Sequence, residues 1–265
     1  MTVARGTLSE MDADRDPYVP TPPPGQHELP SDDGEPMDTP RHRSQMNLLL
    51  DTLGDAWSAR DDYYAGGNMF VYFSELQTKG EKVRGPDVYV VLDTERWKLR
   101  KSWVVWEEGG RLPNVVIELL SPSTERTDRG EKMRLYARVW RTGEYYLYDP
   151  WDHRLEGYRL DAASGEYRAI EPDARGDLPV LQMGLALGVR EGRYDGERIP
   201  WLRWIDPRGE VLPEAHEREE AERARADAEQ ARADAERARA DAERARAQEA
   251  ERRIAELEAR LRSGG

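Results

Sequence analysis

Residues 113–140 read PNVVIELLSPSTERTDRGEKMRLYARVW, and they join a continuous apolar run to a segment with helical spacing. In the first part, residues 114–120, hydrophobic residues flank Glu118 on both sides, as in a strand that is buried on both faces of a sheet. The large apolar residues of the second part fall on one helical stripe: Met133, Tyr136, Val139 and Trp140. A buried strand followed by an amphipathic helix is typical of the α/β class.

Further apolar runs lie on both sides of this stretch. Those with strand character are MFVYF (69–73), DVYVVL (87–92), EYYLYD (144–149) and LEGYRL (155–160). Upstream of them, residues 41–59 have apolar side chains at spacings that indicate an amphipathic helix: Met46, Leu49, Leu50, Leu53 and Trp57. The order helix, strands, helix, strands predicts an α/β fold with a mixed central sheet flanked by helices.

Composition divides the chain into three parts. Residues 1–40 are rich in Pro, Asp and Glu and poor in large apolar residues, so we predict a disordered arm or an extended one lying on the surface. Residues 41–213 are predicted to form the α/β domain. Residues 214–265 repeat every seven residues, for example as ARADAER at 231–237 and again at 238–244, and their strong helix formers predict a long helix.

Whether this C-terminal helix pairs with another helix depends on its seam. Ile254, Leu257 and Leu261 have the a and d spacing of a coiled coil, but the same register places Ala at the earlier a positions and Glu at the earlier d positions. A second possible seam consists of alanines alone and buries little area. The alternatives are therefore a self-associating coiled coil, a solvated single helix and an arm for another partner.

Composition and charge limit the function classes. The chain has 265 residues and no cysteine, which excludes disulfides, zinc–thiolate sites, iron–sulfur clusters and thiol nucleophiles. The net charge of −13 divides into −7 for residues 1–40, −3 for 214–265 and −3 for the region between them, so it neither supports nor excludes a DNA partner. No apolar run has the length of a signal peptide or a membrane span, and the expected location is the cytoplasm, with no membrane partner.

Two acidic residues lie in or beside apolar strand-like runs. Asp87 follows a proline and opens the 87–92 run, and Glu118 lies within the 114–120 run. Because a buried carboxylate is costly unless it is paired or holds a cation, two of them on neighbouring strands could bind one divalent metal ion. Lys132 follows on the predicted helix, near enough in sequence to lean over the end of the Glu118 strand. Such a set suits phosphodiester hydrolysis, in which the amine stabilises developing charge or orients the attacking water.

Each of these residues also has a structural interpretation. Asp87 after a proline can be only a strand-start residue, and a helical lysine such as Lys132 usually faces water. Asp128 can simply pair with Lys132 four residues later. Tyr136 lies on the same helical face as these two, but it is better explained as a core residue.

The residues quoted above resemble the Uma-two family, which is described as a family of putative restriction endonucleases within the PD-(D/E)XK nuclease superfamily. The resemblance covers residues 41–205. It rests mainly on the block at 113–150, together with GPDVYVVLD before it and LEGYRL after it. It implies a restriction-endonuclease-like core, a Mg²⁺ or Mn²⁺ cofactor and a DNA substrate. The acidic pair of the family falls on Asp87 and Glu118.

The sequence departs from the superfamily pattern in two places. The lysine expected two residues after the glutamate is replaced by Leu120, and the resemblance implies that Lys132 on the following helix takes over. The acid that many relatives carry near the first helix has no clear match, although Glu35 and Asp38 are candidates. His42 in the same region is interpreted as a helix-start residue rather than a ligand.

These residues leave three hypotheses. The first, which we favour, is a metal-dependent DNA endonuclease with Asp87 and Glu118 as metal ligands and Lys132 as the catalytic cation. The second is a nuclease-fold protein with a weak or silent site that acts in assembly through its C-terminal helix, as a homo-oligomer. The third is an inactive nucleic-acid binder that uses the arginines around Lys132, and it predicts salt-dependent binding without metal.

Overall fold

The computed structural model describes residues 22–31, 39–79, 83 and 85–263. The chain separates into two compact units, Met1–Leu212 and Pro213–Gly265. The first unit contains eleven strands among its described residues: β1 (Tyr63–Gly66), β2 (Val71–Tyr72), β3 (Val88–Leu92), β4 (Trp103–Val104), β5 (Val115–Leu119), β6 (Glu144–Asp149), β7 (Arg154–Asp161), β8 (Glu166–Ala169), β9 (Leu178–Val180), β10 (Leu185–Tyr194) and β11 (Glu197–Ile205).

A six-stranded mixed sheet forms the centre of this unit, in the order β1-β3-β5-β6-β7-β8. Strands β5 and β6 pair in parallel, and the other neighbours in this sheet pair antiparallel. Parallel neighbours need a crossover connection, and here it is the helix that starts at Glu125 and ends at Trp140. The predicted α/β class with a mixed central sheet is confirmed.

One face of the sheet packs against the N-terminal helix, Pro40–Ala56, and a second sheet. Thr39 caps this helix, since its Oγ1 accepts a hydrogen bond from the backbone N–H of His42 at 3.3 Å. The Gln45 amide bonds both backbone groups of Leu202 on β11 at 2.9 Å. The indole of Trp204 donates to the carbonyl of Leu49 at 2.9 Å. The helix is therefore joined to β11 by buried hydrogen bonds as well as by apolar contacts.

The second sheet has the strand order β11-β10-β9, and the sequence patterns did not predict it. Strands β10 and β11 alternate apolar residues with several charged ones, so neither gives a clear apolar run. A local signal was available, however. Asp195 and Gly196 both have positive φ, 48° and 82°, and they form the two-residue turn between β10 and β11. An Asp-Gly pair between two extended segments is a strong hairpin signal.

The other face of the central sheet packs against the crossover helix, which we call the site helix. It is continuous through Glu125–Thr127, Asp128–Lys132, Met133–Leu135 and Tyr136–Trp140, and the second and fourth segments are π-helical. The predicted stripe is wrong at Val139, whose side chain is 52% exposed. Because a π turn bonds i to i+5, it is wider than an α turn and shifts the residues that follow it around the axis.

Part of the predicted N-terminal arm lies against the domain. In residues 22–31, Leu29 is buried with Tyr72 and Val104, and the Tyr72 hydroxyl donates to the carbonyl of Pro30 at 2.6 Å. The rest of the arm, including Glu35 and Asp38, lies outside the described residues.

The second unit contains one long helix, Ala215–Ser263. It agrees with the helix predicted from the seven-residue repeat. Within the part of the chain that the structure describes, no helix combines the length and the apolar character needed to cross a membrane.

Candidate active site

The strand register brings the two predicted acids together. Val88 pairs with Ile117 and Tyr89 with Val116, so the next position along β3, Asp87, faces Glu118 on β5. Directly opposed residues of an antiparallel pair lie on the same face of the sheet. Asp87 and Glu118 therefore project to the face that carries the site helix, and the Asp87 carboxylate lies near enough to raise the pKa of Glu118.

Backbone amides hold both carboxylates in place. The N–H of Leu119 donates to Asp87 Oδ2 at 2.7 Å, and the N–H of Asp87 donates to Glu118 Oε2 at 3.3 Å. Each acid is thus fixed by the backbone of the other strand. Glu118 is fully buried, whereas Asp87 is partly exposed. As a whole residue, Asp87 is thus less deeply buried than Glu118.

The site helix adds a cation and a third acid. Lys132 Nζ lies 3.0 Å from Glu118 Oε2 and 2.8 Å from Asp128 Oδ1. Its side chain is 15% exposed, and that of Asp128 is almost fully buried. Lys132 and Asp128 are four residues apart, so one helical turn aims both at the same point. The structure therefore brings together all three sequence-predicted residues, Asp87, Glu118 and Lys132.

Tyr136 completes the polar contacts of Glu118. Its hydroxyl donates to Glu118 Oε1 at 2.7 Å, and its ring is buried in the core beneath the site helix. Its interpretation as a core residue was incomplete, because one end of the side chain packs and the other binds the buried carboxylate. The spacing Asp128, Lys132, Tyr136 on one helix face was the signal for this role.

The electrostatics of the site are unbalanced. The pKa of Glu118 is raised to about 7, mainly by burial and in part by the neighbouring Asp87, against the opposing effect of Lys132. Burial also raises the pKa of Asp87 and that of Asp128. For Lys132, burial lowers the pKa, but Glu118, Asp128 and Asp87 outweigh it and the net shift is upward. Three carboxylates thus face one ammonium group, which leaves two negative charges without a partner when all four groups are ionised.

This imbalance predicts a pH dependence of stability. The pKa of Glu118 is higher in the folded chain than in the unfolded chain, so its favourable contribution is present below pH 4.5 and is lost as the pH rises through about 7. The loss amounts to about 3 kcal/mol. We expect Glu118→Gln, which resembles the protonated acid, to lack this loss, so metal-free wild type should become less stable than the variant between pH 5 and 8. Chemical denaturation across that range measures the difference, and parallel pH profiles would contradict the prediction.

A second ion-pair network ties the site helix to the sheet. Arg129 binds Glu156 on β7 through two hydrogen bonds of 2.8 Å, and its Nε donates to Glu125 at 2.8 Å. The Arg129 guanidinium lowers the pKa of Glu156 to about 2. Leu147 on β6 pairs with Glu118 on β5 and with Glu156 on β7. Glu156 therefore lies level with Glu118 across the sheet, two strands away. Arg129 is engaged here and anchors the helix that carries Lys132.

Two other residues near the site have structural roles. Leu120, at the position where the superfamily pattern has lysine, is 2% exposed and packs in the core beneath the site helix. His42 lies in the first turn of the N-terminal helix, and its Nε2 is 3.1 Å from the carbonyl oxygen of Leu120. His42 thus holds the end of β5, one residue beyond the amide that binds Asp87.

The donor set of the site suits a magnesium-type ion. Among the described residues, no three His, Cys, Asp or Glu side chains form a complete metal-binding group. Mg²⁺ does not need one, since it is commonly held by one or two carboxylates and completes its shell with water and substrate phosphate. Asp87 and Glu118 supply two adjacent carboxylates, and the excess negative charge favours a divalent cation.

The chain is similar to known proteins in sequence and in structure. The family model described as "Putative restriction endonuclease" matches residues 17–192. An uncharacterized protein of Synechocystis sp., slr1290, is 34% identical over 77 residues, which are 29% of this chain and 40% of that relative. This chain therefore matches less than half the length of that relative. A crystal structure of a "putative nuclease belonging to DUF820" from Anabaena variabilis is 19% identical, with a TM-score of 0.41, and the match covers 59% of this chain and 87% of that one.

Proposed function

Because the chain belongs to the Uma2 family described as "Putative restriction endonuclease", we propose that it is a metal-dependent DNA endonuclease that hydrolyses phosphodiester bonds at the Asp87–Glu118 site. The observation that carries the proposal is the cluster of three carboxylates against one buried ammonium group. A bound Mg²⁺ or Mn²⁺ ion would polarise the phosphate and lower the pKa of an attacking water.

The excess of acid also supports a role for a metal ion in the binding of a DNA substrate. A phosphodiester is an anion, and it would approach a site whose acids outnumber its cations. A divalent cation held by Asp87 and Glu118 would balance the two unpartnered charges and remove the repulsion.

The residues of the chain have distinct roles in this proposal. Asp87 and Glu118 would hold the ion, and the amides of Leu119 and Asp87 fix their oxygens before it arrives. Lys132 would stabilise the negative charge that develops on the phosphate or orient the water. Asp128 holds the ammonium group of Lys132 at the site.

Calorimetric titration of Mg²⁺ and of Mn²⁺ into metal-free protein tests the proposal. We expect a saturable binding signal in wild type and a large loss of affinity in Asp87→Ala, because the variant keeps only one of the two carboxylates and no substrate phosphate is present to replace the other. The exposed Asp152 lies outside the site, so Asp152→Ala serves as the matched control. Metal binding that is equal in wild type and Asp87→Ala would remove this pair of acids from the proposal.

Supercoiled plasmid DNA is the substrate for the second part of the test. Wild type should nick or linearise it with Mg²⁺ or Mn²⁺ and stop when the metal is chelated. Metal binding without any cleavage would favour the alternative of a silent nuclease fold. DNA binding that depends on salt but not on metal would favour an inactive binder.

A further inference from the structure

The last part of the C-terminal helix differs from the repeat that precedes it. In the register set by Ile254 at position a and Leu257 at position d, the preceding heptad has Ala247 and Ala250 at the same positions. Ile254 is 56% exposed and Leu257 is 57% exposed. Large aliphatic side chains at a and d on one exposed stripe are the pattern by which one helix packs against another.

The residues that flank this stripe are charged in a regular way. Positions g are Arg246 and Arg253, and the e positions that follow each of them by five residues are Glu251 and Glu258. In a parallel coiled coil, a g residue lies next to the e residue of the following heptad on the partner helix. Arg246 would thus meet Glu251, and Arg253 would meet Glu258, on both sides of the pair.

We propose that two copies of this chain pair as a parallel coiled coil along residues 246–261. An antiparallel pair brings g beside g and e beside e, which would set Arg against Arg and Glu against Glu. The parallel arrangement is the one in which every flanking contact joins opposite charges. The partner with the matching apolar stripe and the matching charges is therefore a second copy of this chain.

The existing contacts of the helix do not compete strongly with this pairing. Glu258 has an intrahelical ion pair with Arg262 at 3.9 Å, and both side chains are more than half exposed. Exposed ion pairs at i and i+4 contribute little to stability. Glu258 can therefore exchange Arg262 for an arginine of the other helix.

The upstream repeat confines the contact to the end of the helix. Position d is Glu229, Glu236 and then Glu243, so a parallel pair would place identical carboxylates opposite each other. Like charges at facing positions are destabilising, and the alanines at position a bury little surface in return. The pairing should therefore not extend to residues on the N-terminal side of 243.

Sedimentation equilibrium of the full chain at rising concentration tests the pairing. We expect the mass of wild type to rise twofold, from one chain to two, and Leu257→Asp to remain at one chain. The double variants E251R/E258R and R246E/R253E should each keep the mass of one chain, because all their e and g positions in this region then carry the same sign of charge. An equimolar mixture of these two double variants should regain the twofold mass. Far-UV circular dichroism confirms that each variant keeps its fold.

Engineered cysteines test the direction, since the chain has none of its own. In a parallel pair the two copies of residue 247 face each other, so Ala247→Cys should form a disulfide-linked dimer on mild oxidation. Ala245→Cys, on the outer side of the helix, is the matched control and should cross-link far more slowly. A wild type that stays at one chain overturns the proposal, as does cross-linking that is equal at 245 and 247. The test is independent of metal and DNA, so a failure of the nuclease proposal does not affect it.

Discussion

Glu118→Gln should abolish metal-dependent DNA cleavage while leaving the fold intact. Changes to groups that merely support a metal ligand cost 10- to 100-fold in affinity or activity, so loss of a ligand itself should cost more than about a hundredfold. Glutamine keeps the shape of the side chain and can still accept a hydrogen bond from the Tyr136 hydroxyl. The rate of plasmid cleavage at saturating Mg²⁺ measures the effect.

The control for this variant lies on the site helix. Glu131 is an exposed glutamate one residue before Lys132, and Glu131→Gln should cleave at the rate of wild type. Robust metal-dependent cleavage by Glu118→Gln would exclude Glu118 from the mechanism. That result would not contradict the prediction that Glu118→Gln is more stable than wild type above pH 5, because this stability difference depends on the burial of Glu118 and not on catalysis.

Lys132→Met should weaken both stability and cleavage. Removal of one partner from a buried ion pair typically costs 3–5 kcal/mol, because it leaves the remaining charges uncompensated. We expect about 3 kcal/mol here, since Glu118 can take up a proton and relieve part of the repulsion. Cleavage should fall on the order of 10²- to 10³-fold, the usual effect of losing one group that stabilises transition-state charge.

A second substitution separates these two effects. The double variant K132M/D128N also lacks the buried charge of Asp128. It should therefore regain most of the stability that Lys132→Met loses, while its cleavage rate stays low. Lys101 is exposed, and Lys101→Met should match wild type in both measurements. Recovery of cleavage in the double variant would mean that Lys132 has only a structural role. Denaturant unfolding and plasmid cleavage provide the two measurements.

The parts of the fold with continuous apolar runs were predictable from sequence. The strand that carries Glu118 and the helix that carries Lys132 were both predicted, because one is buried on both faces and the other has an apolar stripe. Strands β10 and β11 were missed because charged residues interrupt their apolar residues, as Arg203 does in β11. Their Asp-Gly turn was the better signal.

The sequence predicted the two acidic residues of the site, but it did not predict the contacts that hold them in place. Sequence placed Asp87 and Glu118 in strand-like runs, but it did not specify that β3 and β5 are neighbours in a register that opposes them. That pairing depends on contacts between segments about 30 residues apart. The two backbone amides that fix the acids, and the depth of burial that raises the pKa of Glu118, follow from the same pairing.

Because Asp87 and Glu118 face each other across β3 and β5, insertions and deletions are tolerated in some parts of the chain and not in others. Side chains alternate between the faces of a strand, so inserting one residue within Val88–Leu92 would turn Asp87 away from Glu118. The connection between β3 and β5 contains the buried β4, but the stretches on either side of β4 can change their length without shifting the register of either acid. Descendants of this chain should therefore vary in that connection while the spacing within each of the two strands stays constant.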